Sequence, residues 1–306
     1  MGRFILRRLA QGALVVFLVT VVVFVTTRLV GDPVDVLLPF ESTPEQRAEF
    51  RHQLGLDRSI PVQFWEYLKD VAHLDFGQSL VLREDAMGIV LERLPATLEL
   101  VAAGMGLAFV VSMVLGVLAA LRPGGWFDRV AVVGSLAALS MPEFWVGLLL
   151  IYIFAVWLGV LPSSGKGGLD HLILPAVTMA FATIGRMVMI VRSSMLDELA
   201  QPYVQTARAK GLSGFRTVGV HAMRNVSVPV VTLFGWEVIL ALAGYTAVVE
   251  TVFAWPGIGF LAYNAIVDQD LILLQAIVFL VAIFVVVINI LIDVLYRVID
   301  PRIQLA

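Results

Sequence analysis

The chain has 306 residues, 59% of them hydrophobic and 15% charged, with a mean hydropathy of +0.92, whereas soluble domains carry about 25% charged residues. Its 21 Lys and Arg against 24 Asp and Glu leave a net charge of -3, which gives no general pull on nucleic acid. The absence of cysteine excludes disulfides, thiolate metal sites and cysteine nucleophiles.

The apolar residues lie in long uninterrupted runs, as a lipid solvent demands, and not in the short periods of a water-facing core. A bilayer core about 30 Å thick needs about 20 apolar residues of helix. Six stretches qualify: Leu9 to Val30, Thr97 to Leu121, Val130 to Leu158, Leu172 to Val191, Val228 to Val249 and Leu271 to Ile292. The predicted fold is an all-α polytopic membrane protein with six transmembrane helices. Arg3, Arg7 and Arg8 precede the first span as in a signal peptide, but its apolar run is too long and no A-x-A site follows, so it reads as a retained anchor. Arg122, Arg129, Arg192, Arg208, Lys210, Arg216, Arg224, Arg297 and Arg302 fall on the same side as that N-terminus, against Lys166 alone in the opposite short loops. Both termini are therefore expected on the cytoplasmic side.

Between the first two spans, residues 31–96 read as an outer segment of surface helices. Thr43, Pro44 and Gln46 have the order of an N-cap, a first-turn proline and a capping-box partner, and Gly55 is a helix stop. A second helix begins near Pro61 and collects Phe64, Trp65, Leu68, Val71 and Ala72 on one face, to pack on the spans or rest in the interface. In the second span Ala108, Ser112, Gly116 and Ala120 form a stripe of small residues where another helix can approach closely.

Glu143, Arg186 and Glu237 lie deep in the third, fourth and fifth spans. A charge there costs at least about 2.5 kcal/mol on insertion scales, so it should face protein or a wet cavity. For Glu143 and Glu237, lining of a translocation pathway and a buried structural pair are both open; Arg186 can also reach headgroups. Pro142 removes a backbone hydrogen bond and should kink its helix.

No catalytic residue is proposed. Gly165-Lys166-Gly167 lacks the rest of a P-loop, no H-E-x-x-H exists, and His52, His73, His171 and His221 are too scattered for a metal site on one helix. Gly211-Leu212-Ser213-Gly214 superficially matches a G-x-S-G protease motif, but it lies in a basic loop that shelters no oxyanion.

That loop, residues 192–227, holds helix formers from Gln205 to Lys210, then Gly211, then a second amphipathic piece to Pro229. Tyr203-Val204-Gln205-Thr206-Ala207-Arg208-Ala209-Lys210-Gly211-Leu212, followed by His221-Ala222-Met223-Arg224-Asn225, resembles the EAA loop of bacterial binding-protein-dependent ABC importer permeases. The resemblance is to the peptide/nickel branch and runs nearly the whole chain. It includes Gly31-Asp32-Pro33, Leu54-Gly55-Leu56-Asp57, Asp75-Phe76-Gly77-Gln78-Ser79, Leu94-Pro95-Ala96-Thr97, Met141-Pro142-Glu143-Phe144-Trp145, Leu161-Pro162-Ser163-Ser164-Gly165 and Glu250-Thr251-Val252-Phe253 into Trp255-Pro256-Gly257-Ile258-Gly259. Gln205 departs from the family's acidic residue, and Asp270 alone matches a later outer-loop element.

The resemblance implies a type I ABC importer permease in a bacterial inner membrane. Its parts are a cytoplasmic N-terminus and first span (1–30), an outer segment (31–96), a five-helix core (97–295) and a cytoplasmic tail (296–306). Tyr203, Gln205, Thr206, Ala207, Arg208, Lys210, Gly211, Leu212, Arg224 and Asn225 would couple to an ATPase subunit. Trp255, Pro256, Gly257 and Asp270 would help dock a solute-binding protein. The implied partners are a homologous second permease, two cytoplasmic ATPases and that binding protein, within a lipid bilayer and without nucleic acid. ATP and Mg belong to the partners, and this chain needs no cofactor or metal. Short peptides are the implied cargo, with nickel, glutathione or another solute as alternatives. From the residues alone, an ion-coupled secondary transporter using Glu143 and Glu237, or a membrane scaffold, stays open.

Overall fold

The computed structural model describes residues 2–30, 43–53 and 57–299. Gly31-Asp32-Pro33, the stop at Gly55 and residues 300–306 of the tail lie outside the described residues. The helices are α1 (Gly2–Val30), α2 (Pro44–Gln53), α3 (Ile60–Ala72), α4 (Ala86–Leu121), α5 (Trp126–Ser140), α6 (Glu143–Trp157), α7 (Leu169–Leu199), α8 (Pro202–Ala209), α9 (Thr217–Val252), α10 (Ile258–Val267) and α11 (Leu271–Ile299). Among the described residues α1, α4, α7, α9 and α11 are long and apolar enough to cross a membrane, and α5 with α6 adds a sixth crossing if that pair counts as one.

The third predicted span, Val130 to Leu158, corresponds to that pair, and the bend expected at Pro142 is a full break: α5 and α6 are bent by 105° at their junction. A proline forces the preceding residue out of the helical region, and Met141 is extended at φ -96, ψ 129 before Pro142 starts α6. The predicted loop 192–227 is also mostly helical. Charge ends a hydropathy run without ending a helix, so α7 continues through Arg192 and Glu198 to Leu199, and α9 passes straight through Pro229.

One compact unit comprises residues 1–95 and 260–286. The capping box at α2 forms as predicted, with the Thr43 N–H donating to Gln46 Oε1 at 2.9 Å and the Gln46 N–H to Thr43 Oγ1 at 3.3 Å. Helix α3 packs on α1 through Phe64, 4.9 Å from the Phe24 ring, and Tyr67, 5.4 Å from it. Its predicted face shifts accordingly: Val71 is buried, Tyr67 joins it, and Trp65 and Ala72 are exposed. Gly12 on α1 admits α11, since a Cβ there would fall 2.3 Å from Val286 Cγ1.

The second unit comprises the described residues of 96–259 and 287–299. Its central helix is α7, with 61% of its apolar window buried. The small stripe on α4 does meet a neighbour: Ala108, Ser112 and Ala120 are buried, and a Cβ on Gly116 would lie 2.6 Å from Val191 Cβ of α7. Among the described residues two apolar clusters lie in its core. One joins Leu100, Met105, Leu174, Met179, Phe253 and Trp255, and the other Met187, Val191, Met195, Val226 and Val230.

Candidate functional site

The short helix α8 stands between the ends of two spans. Its Val204 and Ala207, three residues apart and so on one face, are 0% and 8% exposed, while Tyr203, Gln205, Thr206 and Lys210 lie on the surface. Gly211 ends the helix in the left-handed region at φ 77. The Leu212 N–H then reaches back to the Ala207 carbonyl at 3.2 Å and the Lys210 N–H to that of Thr206 at 3.0 Å. This is a Schellman stop, which favours glycine because a Cβ is penalised there. Ser213 restarts the chain by accepting the Arg216 N–H at 3.4 Å.

Glu198, which the sequence did not single out, fastens α8 to both flanking helices. Its Oε2 accepts from Tyr203 Oη at 2.5 Å and from Asn225 Nδ2 at 2.9 Å, joining α7, α8 and α9. Tyr203 is 38% exposed; partial desolvation of its hydroxyl, then the neighbouring carboxylate, pushes the phenol up to about 12. Arg224, Asn225 and Gln205 are exposed, and Arg208 lies on the α8 backbone. Near the same end, buried Asp128 of α5 accepts from the Gly124 N–H at 2.8 Å and pairs with Arg192 of α7.

Among the deep charges, Glu237 forms a buried pair. It is 3% exposed and accepts from Arg186 Nε at 2.5 Å, Arg186 Nη2 at 2.7 Å and Thr183 Oγ1 at 3.2 Å. Arg186 is thus held by α9 instead of reaching for headgroups. Glu143, half-buried at the start of α6, lies within electrostatic reach of both.

The docking candidates are not a surface in this conformation. Trp255 is 1% exposed and donates its indole N–H to the Ala96 carbonyl at 2.8 Å. Gly257 is buried against Glu250, Pro256 is half-buried, and Asp270 is 1% exposed. Trp255 belongs to a clasp in which Thr97 Oγ1 donates to the wholly buried Glu250 at 2.7 Å and accepts the Ile258 N–H at 2.7 Å. In the other unit, Asp270 accepts from the Ser79 hydroxyl and caps α11 through the Leu273 N–H at 3.0 Å. An aromatic-proline-glycine turn and a loop aspartate look exposed in a sequence; here each is consumed by bonds within the chain. Among the described residues no group of three or more His, Cys, Asp or Glu could hold a metal ion.

Residues 112–305 match the family described as binding-protein-dependent transport system inner membrane component, and residues 1–101 match its N-terminal membrane-component counterpart. The chain is 39% identical to the di/tripeptide transport system permease protein DppB of Pseudomonas aeruginosa (strain UCBPP-PA14), over 98% of each chain. It is 38% identical to the glutathione transport system permease protein GsiC of Salmonella choleraesuis (strain SC-B67), over 99% of each. A solved inward-facing MetNI methionine ABC transporter shares the fold at TM-score 0.59 and 19% identity, covering 70% of this chain and 97% of that one. The secondary-transporter and scaffold readings are thereby set aside. The chain belongs to the binding-protein-dependent transport system inner membrane components, as a multi-pass permease subunit of the ABC importer type.

Proposed function

We propose that the chain forms half of the translocation pathway of an ATP-driven importer of short peptides, paired with a homologous second permease across a pseudo-twofold axis. Two cytoplasmic ATPases holding ATP and Mg drive it, and an outer solute-binding protein delivers the cargo. This chain makes and breaks no bond. In this reading both termini are cytoplasmic and residues 31–96 face outward. The observation that carries it is α8: a short helix stopped by Gly211, fixed by Glu198 to two spans, with Gln205, Thr206 and Lys210 left on its outer side. A helix so mounted can pass the movement of an ATPase groove to the ends of α7 and α9 as a rigid-body change between two packings.

Glu143 is the pathway candidate, because Glu237 is already committed to Arg186. Peptide cargo is supported by the relatives named for di/tripeptide and glutathione transport. A glutathione importer is the second reading, favoured by the 38% identity to that relative.

The test is ATPase activity of the chain co-purified with candidate ATPase subunits, wild type against Gly211→Glu. A side chain at φ 77 is strained, so the variant should lose assembly or stimulation by binding protein. Wild-type behaviour in both respects would remove α8 from the transmission path. Uptake of a labelled dipeptide, with and without excess glutathione, separates the two cargo readings.

A further inference from the structure

Helix α3 carries more apolar surface than α1 covers. Phe64, Tyr67 and Val71 occupy the side toward α1. The apolar arc continues through half-buried Leu68 to Trp65, which is 61% exposed, and Ile60 at the first turn is 65% exposed. Lys69 holds its ammonium 5.6 Å from the Trp65 ring centre, and Glu66 and Asp70 lie on the remaining, polar side.

The partners of α3 on α1 fix its depth. Arg28, at the end of the Leu6–Arg28 span, donates to Gln63. Phe64 lies 4.9 Å from the Phe24 ring and 6.4 Å from that of Phe17. At 1.5 Å rise per residue, Phe24 is about 6 Å and Phe17 about 16 Å along the axis from Arg28. Phe64 reaches both, so its ring lies between about 6 and about 16 Å below the level of Arg28 while Gln63 stays bonded to the Arg28 side chain, which brings the apolar side of α3 near the depth of about 5–10 Å at which amphipathic helices lie in a bilayer interface. The surface of α1 around this contact is lipid-facing in character, with Leu18, Val22 and Val25 exposed and only 17% of its apolar window buried.

We propose that α3 is an interfacial helix whose Trp65, Leu68 and Ile60 rest in the acyl–headgroup boundary of the leaflet at the Arg28 end of α1. The occupant of its open face is lipid, continuous with the lipid around α1. An indole suits that boundary because its ring is apolar and its N–H finds a polar partner. The Lys69 stem lies along apolar surface while its ammonium reaches phosphate. Glu66 and Asp70 keep to the water side, so a protein partner of this helix would meet that side.

The chain has no cysteine, so Trp65→Cys, Leu68→Cys and Asp70→Cys each create a single labelling position. Each full-length variant is spin-labelled and placed in phosphatidylcholine–phosphatidylglycerol vesicles, and collisions with oxygen and a water-soluble nickel chelate are compared. The oxygen-to-nickel ratio should be several-fold higher at 65 and 68 than at 70. Equal nickel access at 65 and 70 would make the face water-exposed, and shielding of 65 from both reagents would place protein over it; either overturns the proposal. As a check without label, brominated lipid should quench wild-type tryptophan fluorescence more than that of Trp65→Phe. Equal quenching would also overturn it.

Discussion

Within the unit of residues 96–259 and 287–299, two carboxylates each tie three segments together, and they do so in opposite surroundings. Glu250 is 0% exposed and receives the Thr97 hydroxyl, which in turn holds the start of α10. Glu198 is partly exposed and receives Tyr203 and Asn225, both at the surface. A hydrogen bond sealed from water leaves a full desolvation penalty when broken, whereas one at the surface is replaced by water at small net cost. The clasp is therefore built to hold one geometry. The bracket is built to be remade at little cost, which suits the ends of helices proposed to move.

Changes at the clasp should have the largest effect. A Cβ on Gly257 would fall 2.2 Å from Glu250 Oε1, so Gly257→Ala must displace a buried carboxylate and break its bond to Thr97. Overpacking and the lost bond each cost about 1–3 kcal/mol, enough to abolish a monodisperse peak in detergent size-exclusion chromatography. Gly214→Ala, where a Cβ would meet nothing within 4 Å, should run as wild type. Equal profiles for the two variants would mean that the clasp is not rigid.

Arg186→Leu comes next. It strands Glu237 at 3% exposure, and breaking a buried pair costs about 3–5 kcal/mol. Removing both charges in Arg186→Leu/Glu237→Leu should restore most of the loss, because the pair itself contributes little once its desolvation is counted. The readout is apparent Tm in detergent. A double variant no better than the single one would assign Glu237 a further role, such as lining the pathway.

The difference between these places is also a difference in what a sequence displays. Hydropathy locates the spans, and the glycine stop after α8 and the capping box at Thr43 are local signals read within a few residues. Glu250 and Thr97 are separated by 153 positions, and nothing local marks them as partners. Glu198 sits among other charges at the end of α7 and looks like solvated surface until α8 folds back on it. The break at Met141 was half visible: Pro142 announced a bend, but apolar residues on both sides kept the run unbroken, and hydropathy does not register a backbone angle. Trp255 and Asp270, each 1% exposed, look like surface in a sequence because loops are assumed to face water.

At the bracket, stability and function should separate. Asn225→Leu removes two surface hydrogen bonds, to Glu198 at 2.9 Å and a long one to Tyr203 at 3.4 Å, and water replaces both, so its cost should stay at about 1 kcal/mol. If α8 moves with α7 and α9 only while bracketed, the same change should lower transport per ATP hydrolysed in the reconstituted complex while hydrolysis persists. Transport falling in parallel with the folded fraction would reduce the bracket to an ordinary surface contact.

The smallest effect concerns protons, and its sign follows from the bond. Tyr203 donates to Glu198, so only the neutral phenol keeps the bracket, and partial desolvation together with that carboxylate raises the phenol from the ordinary 10 to about 12. A group whose folded pKa is raised contributes its stability fully below the unfolded value and loses it as pH rises through the folded one. The bracket should therefore be intact at every physiological pH and weaken only between about 10 and about 12. Ultraviolet tyrosinate titration of wild type minus Tyr203→Phe isolates this residue. Glu198→Gln, which removes the charge but leaves an acceptor and the partial desolvation, should bring the difference curve part of the way back toward 10. A Tyr203 that titrates at 10 in the wild type would mean that water, and not Glu198, holds its hydroxyl, and the contrast with the clasp would then become one between a bonded end and an unbonded one.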